Sequence, residues 1–182
     1  MGGAVGAPRR AAGWRALVSG PALPVWFATV VLHDAVQELF SWGAEAWGVA
    51  GLAWRVGLVG AALGLPLVAA EGRAAWGRFG TAGLWAWAFW GAASSAAGLA
   101  LTQTRAELVH FPQYALVAWL VAGAGLAPTP ALLTCLGLGA LDEAWQWCVL
   151  YPERAMDWND VTLDLVGALA GVLARVRARG WV

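Results

Sequence analysis

Along most of this chain apolar residues do not alternate with polar ones. They run together in blocks about as long as a bilayer is thick. A helix needs about 20 apolar residues to cross the hydrocarbon core, and runs of that kind occur at 22 to 42, 48 to 70, 80 to 101, 108 to 127, 130 to 150 and 160 to 176. The pattern therefore predicts six helical spans. Punctuation falls between them: Pro21 and Pro24 open the first, Gly72 to Gly77 follow the second, and Pro128 and Pro130 separate the fourth from the fifth. Short connections make successive spans antiparallel neighbours. The expected fold class is thus all-α, a polytopic transmembrane helical bundle forming a single integral membrane domain over 1-182. Three blocks are imperfect. The first holds His33, Asp34, Gln37 and Glu38, the second holds Arg55, and the last reaches full length only if Trp158 and the residues after Val176 join it.

Composition agrees with the pattern. Of the 182 residues, 60% are hydrophobic and 12% charged, against roughly 45–50% and 25% in a soluble domain. Six spans leave no room for a separate soluble catalytic domain. Cations and anions balance at 11 each, which gives no overall attraction to nucleic acid. Cys135 and Cys148 share one apolar run, where 13 residues of helix separate them by about 20 Å, too far for a disulfide. Arg9, Arg10 and Arg15 ahead of an apolar run resemble a signal peptide, but His33, Asp34 and Glu38 interrupt its hydrophobic region, so the segment is read as the first span.

The arginines set the expected orientation. With the N-terminus inside, Arg9, Arg10, Arg15, Arg73, Arg78, Arg175, Arg177 and Arg179 fall on the inner side, and only Arg105 and Arg154 on the outer. Cytoplasmic loops hold the excess of cations, so both termini are expected to be cytoplasmic. Trp42, Trp47, Trp76 and Trp181 lie near span ends, where amphipathic rings favour the interface. Trp85, Trp87 and Trp90 lie deeper and suit packing or lipid contact.

Ionisable residues inside a span cost about 2.5–3.5 kcal/mol each near its centre, so a group of them requires partners, water or a function. In LDEAWQW, Asp142 and Gln146 are four apart on one helical face with Glu143 adjacent. Arg154, Asp157, Asp160 and Asp164 follow at steps of three, three and four, a single stripe if that segment is helical, and the stripe continues to Gly167 and Gly171, where another helix can approach closely. Glu107, His110 and Tyr114 share a face at the outer start of the fourth span. In the first span His33 with Gln37, and Asp34 with Glu38, form secondary candidates at the same depth. Each group also has a plain structural reading: Arg154 pairing with Asp157 or Glu143, His110 bonding a neighbouring helix, the first-span cluster forming a polar seam. Convergence at one depth favours a common site.

The ordered set Glu107-x-x-His110-x-x-x-Tyr114, Asp142-Glu143-x-x-Gln146, Arg154-x-x-Asp157-x-x-Asp160 and Gly167-x-x-x-Gly171 resembles the signature of the VanZ-like family of small multi-pass bacterial membrane proteins. The resemblance covers roughly residues 105-175. The family commonly carries Asn where this chain has Asp164. What it implies is a multi-pass protein of the bacterial cytoplasmic (inner) membrane, with a link through the family's namesake to resistance against the glycopeptide teicoplanin.

Three classes of function are compatible with these features. The leading expectation is a protein that binds a membrane lipid or lipid-linked saccharide headgroup from the outer leaflet. In it Arg154 clamps a phosphate or carboxylate, and the carboxylates accept hydroxyl hydrogen bonds. The alternative is a metal-assisted hydrolase or transferase acting on a lipid phosphate. There Asp142, Glu143, Asp157 and Asp160 would hold Mg²⁺ or Ca²⁺ through oxygen, and His110 would serve as acid or base. A small transporter or a structural membrane protein is the third. No nucleophile elbow, zinc helix motif or phosphate-cradling glycine loop accompanies the acids.

Overall fold

The computed structural model describes residues 7–102, 106–153, 155 and 157–179. Arg154 lies outside the described residues, and so do the side chains of His33 and Gln37. What is described is helical, with no strand among the described residues. The chain runs through α1 (Ala7–Ser19), α2 (Ala22–Val31), α3 (His33–Leu101), a 3₁₀ turn (Ala106–Val109), α4 (His110–Gly123), α5 (Pro128–Trp145), a π-helical turn (Gln146–Leu150) and α6 (Trp158–Arg179).

The long α3 run is not one rod. Gly48 (φ 70°, ψ 160°) and Gly80 (φ 64°, ψ −155°) break it in conformations that need a residue without Cβ. The chain folds back at both. Gly43 faces Leu52, and Gly72 faces Leu84 and Trp87, pairs that a straight helix would hold far apart. The breaks thus fall close to the gaps in the apolar pattern, with one displacement. The loop expected at Gly72 to Gly77 is helical, and the reversal comes at Gly80, because Gly72 is used to admit the Trp87 ring rather than to turn the chain.

Helices α3, α4 and α5 pack against α6, and α2 packs on α4. A Cβ at Gly167 would overlap the backbone carbonyl of Phe111, and one at Gly171 that of Ala115, so α4 and α6 meet backbone to backbone. Around this contact Val117, Ala118 and Val121 of α4, Cys135 of α5, and Ala168 and Val172 of α6 form the buried core. At one end, a buried pair from Arg175 to Glu71 ties α6 to α3. Trp119 Nε1 donates to Glu71 at 2.9 Å, and the Arg175 guanidinium lies 4.2 Å above the Trp119 ring. Arg55 bonds the Gly51 carbonyl of its own helix at 3.2 Å and lies over Trp47, on the other side of the Gly48 break, at 4.4 Å. Both cysteines are free.

Among the described residues, one stretch qualifies by length and apolar composition to cross a membrane, Leu65–Leu101. The pair Ala12–Val31 and Asp34–Gly48, bent by 63°, qualifies only when taken together. The outward faces are apolar: Trp85 is 74% exposed, Phe89 75% and Leu99 68%. Soluble monomers rarely present large continuous apolar surface, and this feature points to membrane association.

Candidate functional site

The site gathers where the start of α4, the end of α5 and the start of α6 come together. Asp142, 2% exposed, is its hub on α5. Its Oδ1 accepts from Gln146 Nε2 at 3.2 Å, the contact expected of residues four apart, while its Oδ2 accepts from Tyr114 Oη at 3.1 Å and Gln113 Nε2 at 3.3 Å. The Tyr114 hydroxyl in turn accepts from Trp26 Nε1 at 3.2 Å, which draws α2 into the network. An ionised carboxylate can accept on both oxygens. Asp142 is therefore committed to holding three helices in register.

His110 begins α4 and lies against α6. Its Nδ1 is 3.0 Å from Asp164 Oδ1, and its Nε2 is 3.6 Å from Asp160 Oδ2. Glu143 stands beside them on α5, 3% exposed. One ligand atom from each of His110, Glu143 and Asp164 lies within 4.8 Å of the others. Gly139, one turn before Glu143, makes room for this group: a Cβ there would stand 3.0 Å from Asp164 Oδ2 and 3.6 Å from the Tyr114 ring. Glu143 Oε1 and Asp164 Oδ2 are buried oxygens without a hydrogen-bond partner among the described residues.

A second group forms where α6 starts. Glu107 sits on the 3₁₀ turn rather than on α4 itself, and it accepts from Asn159 Nδ2 at 2.8 Å. The same amide also reaches the Leu101 carbonyl at 3.1 Å. Asp157 does not continue a helical stripe, because α6 begins at Trp158. It caps the helix instead, accepting the Asn159 backbone N–H at 2.9 Å. Asp157, Asp160 and Glu107 nonetheless bring ligand atoms within 4.8 Å of one another. The metal set Asp142, Glu143, Asp157 and Asp160 expected from the sequence is thus divided: Glu143 joins His110 and Asp164, Asp157 and Asp160 join Glu107, and Asp142 belongs to neither group.

Beyond α5 the helix widens into the π turn, closed by Tyr151 N–H donating to the Gln146 carbonyl at 2.7 Å. Such turns recur at functional sites. Here it swings Trp147 and Tyr151 over a small cleft of about 10 Å³, enough for about one water, whose other walls include Glu143, Gln146, Asp157 and Asp160. Tyr151 donates to Asp34 Oδ1 at 2.5 Å. On its far side opens a groove of about 530 Å³ lined by Asp34, Glu38, Ser41, Trp42, Glu45 and Tyr151. Two of the four secondary candidates from the first span, Asp34 and Glu38, accordingly line a space that adjoins the main site.

Of the ten main candidates, nine come together: Glu107, His110, Tyr114, Asp142, Glu143, Gln146, Asp157, Asp160 and Asp164. Sequence reading missed Trp26, Gln113, Trp147, Tyr151 and Asn159. Gln113 was open to inference, since it follows His110 by three on the same face, and Asn159 is the one Asn in the chain. No protein-family model, curated protein or solved structure matches this chain.

Proposed function

We propose that the chain is a VanZ-like integral membrane protein of six spans, with both termini cytoplasmic, seated in the bacterial inner membrane. In this reading its polar site lies in the outer half of the bilayer and binds the headgroup of an envelope lipid or lipid-linked saccharide. One observation carries the reading: the groove of about 530 Å³ whose lining combines Asp34, Glu38 and Glu45 with Trp42 and Tyr151. Ligand pockets commonly span about 300–1,000 Å³. Carboxylates accept hydroxyl hydrogen bonds, and aromatic rings cover the apolar face of a sugar or glycerol unit. An acidic lining repels phosphate, so the part of the headgroup held in the groove is its polyhydroxyl part. Arg154, adjacent in sequence to this end of the bundle, is the expected clamp for the anionic part. Through the family resemblance the proposal extends to teicoplanin susceptibility.

Mass spectrometry of lipids that co-purify with the protein tests the proposal. A single saccharide- or glycerol-bearing lipid species should be enriched with wild type. Its retention should fall at least about tenfold in Trp42→Ala and Asp34→Asn, the cost of about 1.4 kcal/mol of lost contact. Arg154→Ala should also release it if the headgroup is anionic. Retention of bulk membrane lipid alone, equal in all variants, would overturn the headgroup reading.

A further inference from the structure

We propose that His110, Glu143 and Asp164 form a binding site for one divalent transition-metal cation of the Zn²⁺ or Mn²⁺ type. This goes beyond headgroup binding in the groove and rests on different residues. The three side chains come from three helices, α4, α5 and α6, and are 2%, 3% and 3% exposed. Their ligand atoms already converge within 4.8 Å. Donors around a tetrahedral ion stand about 3.3–3.6 Å apart when its bonds are 2.0–2.2 Å long, so closing the site takes a movement of up to about 1.5 Å.

Independent support comes from the two orphaned oxygens. Glu143 Oε1 and Asp164 Oδ2 have no hydrogen-bond partner among the described residues although both are buried, and a buried polar atom left this way is costly. A cation between them supplies the missing partner for both. His110 Nδ1 and Asp164 Oδ1 stand 3.0 Å apart, a separation that two donors on one ion can have, and Asp160 Oδ2 lies 3.6 Å from the other ring nitrogen, Nε2, on the side where a carboxylate orients a ligating imidazole. Gly139 keeps the space beside Asp164 Oδ2 open.

Donor chemistry selects the ion. One imidazole nitrogen with two carboxylate oxygens favours Zn²⁺ or Mn²⁺ over Mg²⁺ and Ca²⁺, which prefer all-oxygen sets. Three protein donors leave a coordination position vacant, and Glu143 also borders the one-water cleft, from which a water or ligand oxygen can fill it. The neighbouring group of Glu107, Asp157 and Asp160 is already engaged: Glu107 accepts the Asn159 amide, and Asp157 caps α6.

The test uses full-length protein in detergent, treated with chelator and monodisperse by size exclusion, titrated with Mn²⁺ and followed by electron paramagnetic resonance. One Mn²⁺ should bind per chain with an electron-spin-echo coupling to an imidazole nitrogen, and Zn²⁺ should displace it at concentrations at least about tenfold below those needed with Mg²⁺ or Ca²⁺. Glu143→Gln and Asp164→Asn should each weaken Mn²⁺ binding at least about tenfold, whereas Asp157→Asn, which keeps the cap, should leave it unchanged. Gly139→Ala retains every donor but crowds Asp164 Oδ2, and should weaken binding even if the carboxylate variants do not fold. Absence of stoichiometric binding in the wild type, absence of nitrogen coupling, or loss of binding in Asp157→Asn with retention in Glu143→Gln would overturn the assignment. The readout is taken on lipid-free protein, so failure of headgroup retention does not bear on it.

Discussion

Asp142 shows how much one residue organises here. Three donors, from Gln113, Tyr114 and Gln146, converge on its two oxygens. Replacing it by Asn turns one acceptor oxygen into an N–H₂ group that must face a donor. Asp142→Asn should therefore destabilise the protein by about 1–3 kcal/mol, the cost of leaving buried donors unmatched, whereas Tyr114→Phe, which removes a single hydroxyl, should cost about 1 kcal/mol. Unfolding of both variants in detergent checks the order, and equal stability of wild type and Asp142→Asn would mean that the hub is not carrying these helices. At this scale the sequence was informative wherever spacing is local: Asp142 with Gln146, four apart, is a contact that periodicity alone predicts. Trp26 meeting Tyr114 across 88 residues, or Asn159 meeting Glu107 across 52, has no local signal. Those partners are chosen by how whole helices dock.

Helices dock here through what their glycines lack. Gly167 and Gly171 are spaced one turn apart on α6 and let α4 approach until a Cβ would strike its carbonyls, which is the use the Gly-x-x-x-Gly spacing implied. Gly137 on α5 has open space around its Cβ position. Gly171→Ala should thus destabilise by about 1–3 kcal/mol through overpacking, while Gly137→Ala should be neutral or gain up to about 1 kcal/mol from helix propensity. Chemical denaturation of both variants separates the two effects, and a tolerated Gly171→Ala would contradict the close approach. Apolar runs located α4, α5 and α6, but α1 lies outside every run, the first run is divided at Leu32 between α2 and α3, and the conformations at helix ends were not legible. Whether Gly72 turns the chain or admits Trp87, and whether the end of α5 continues or widens into a π turn, depends on neighbours distant in sequence. The cap formed by Asp157 is a similar case: its steps of three to Arg154 and Asp160 fit a stripe, yet Pro152 and the late start of α6 leave it as the residue that ends the loop.

Among the described residues, the buried charged groups separate into two poles. Carboxylates and His110 gather at the start of α6, and the buried pair of Arg175 with Glu71 closes the other end. Fifteen residues of helix from Asp160 to Arg175 span about 22 Å, and between them α4, α5 and α6 meet through an apolar waist. The same polar residues limit how many of the described helices are long and apolar enough to cross a membrane. Although α6 has 22 residues, Asp160, Asp164 and Arg175 interrupt it, and α4 has only 14. Such helices are shielded by their neighbours, with α3 segments bearing the exposed Trp85 and Phe89 on the outside. Arg175, one of the eight arginines expected on the inner side, is buried against Glu71 and so contributes to packing. The two-pole arrangement gives the orientation a direct test. Under the excess of inner arginines, reporters fused after Val182 and inserted in the 151–157 connection should report opposite sides of the membrane, the C-terminal one cytoplasmic. Arg73→Glu with Arg78→Glu should weaken that bias, giving a mixed population for the C-terminal reporter, because those residues are the inner cations between the second and third expected spans. A C-terminal reporter found uniformly outside would place the acid-rich pole on the cytoplasmic face and overturn its assignment to the outer leaflet.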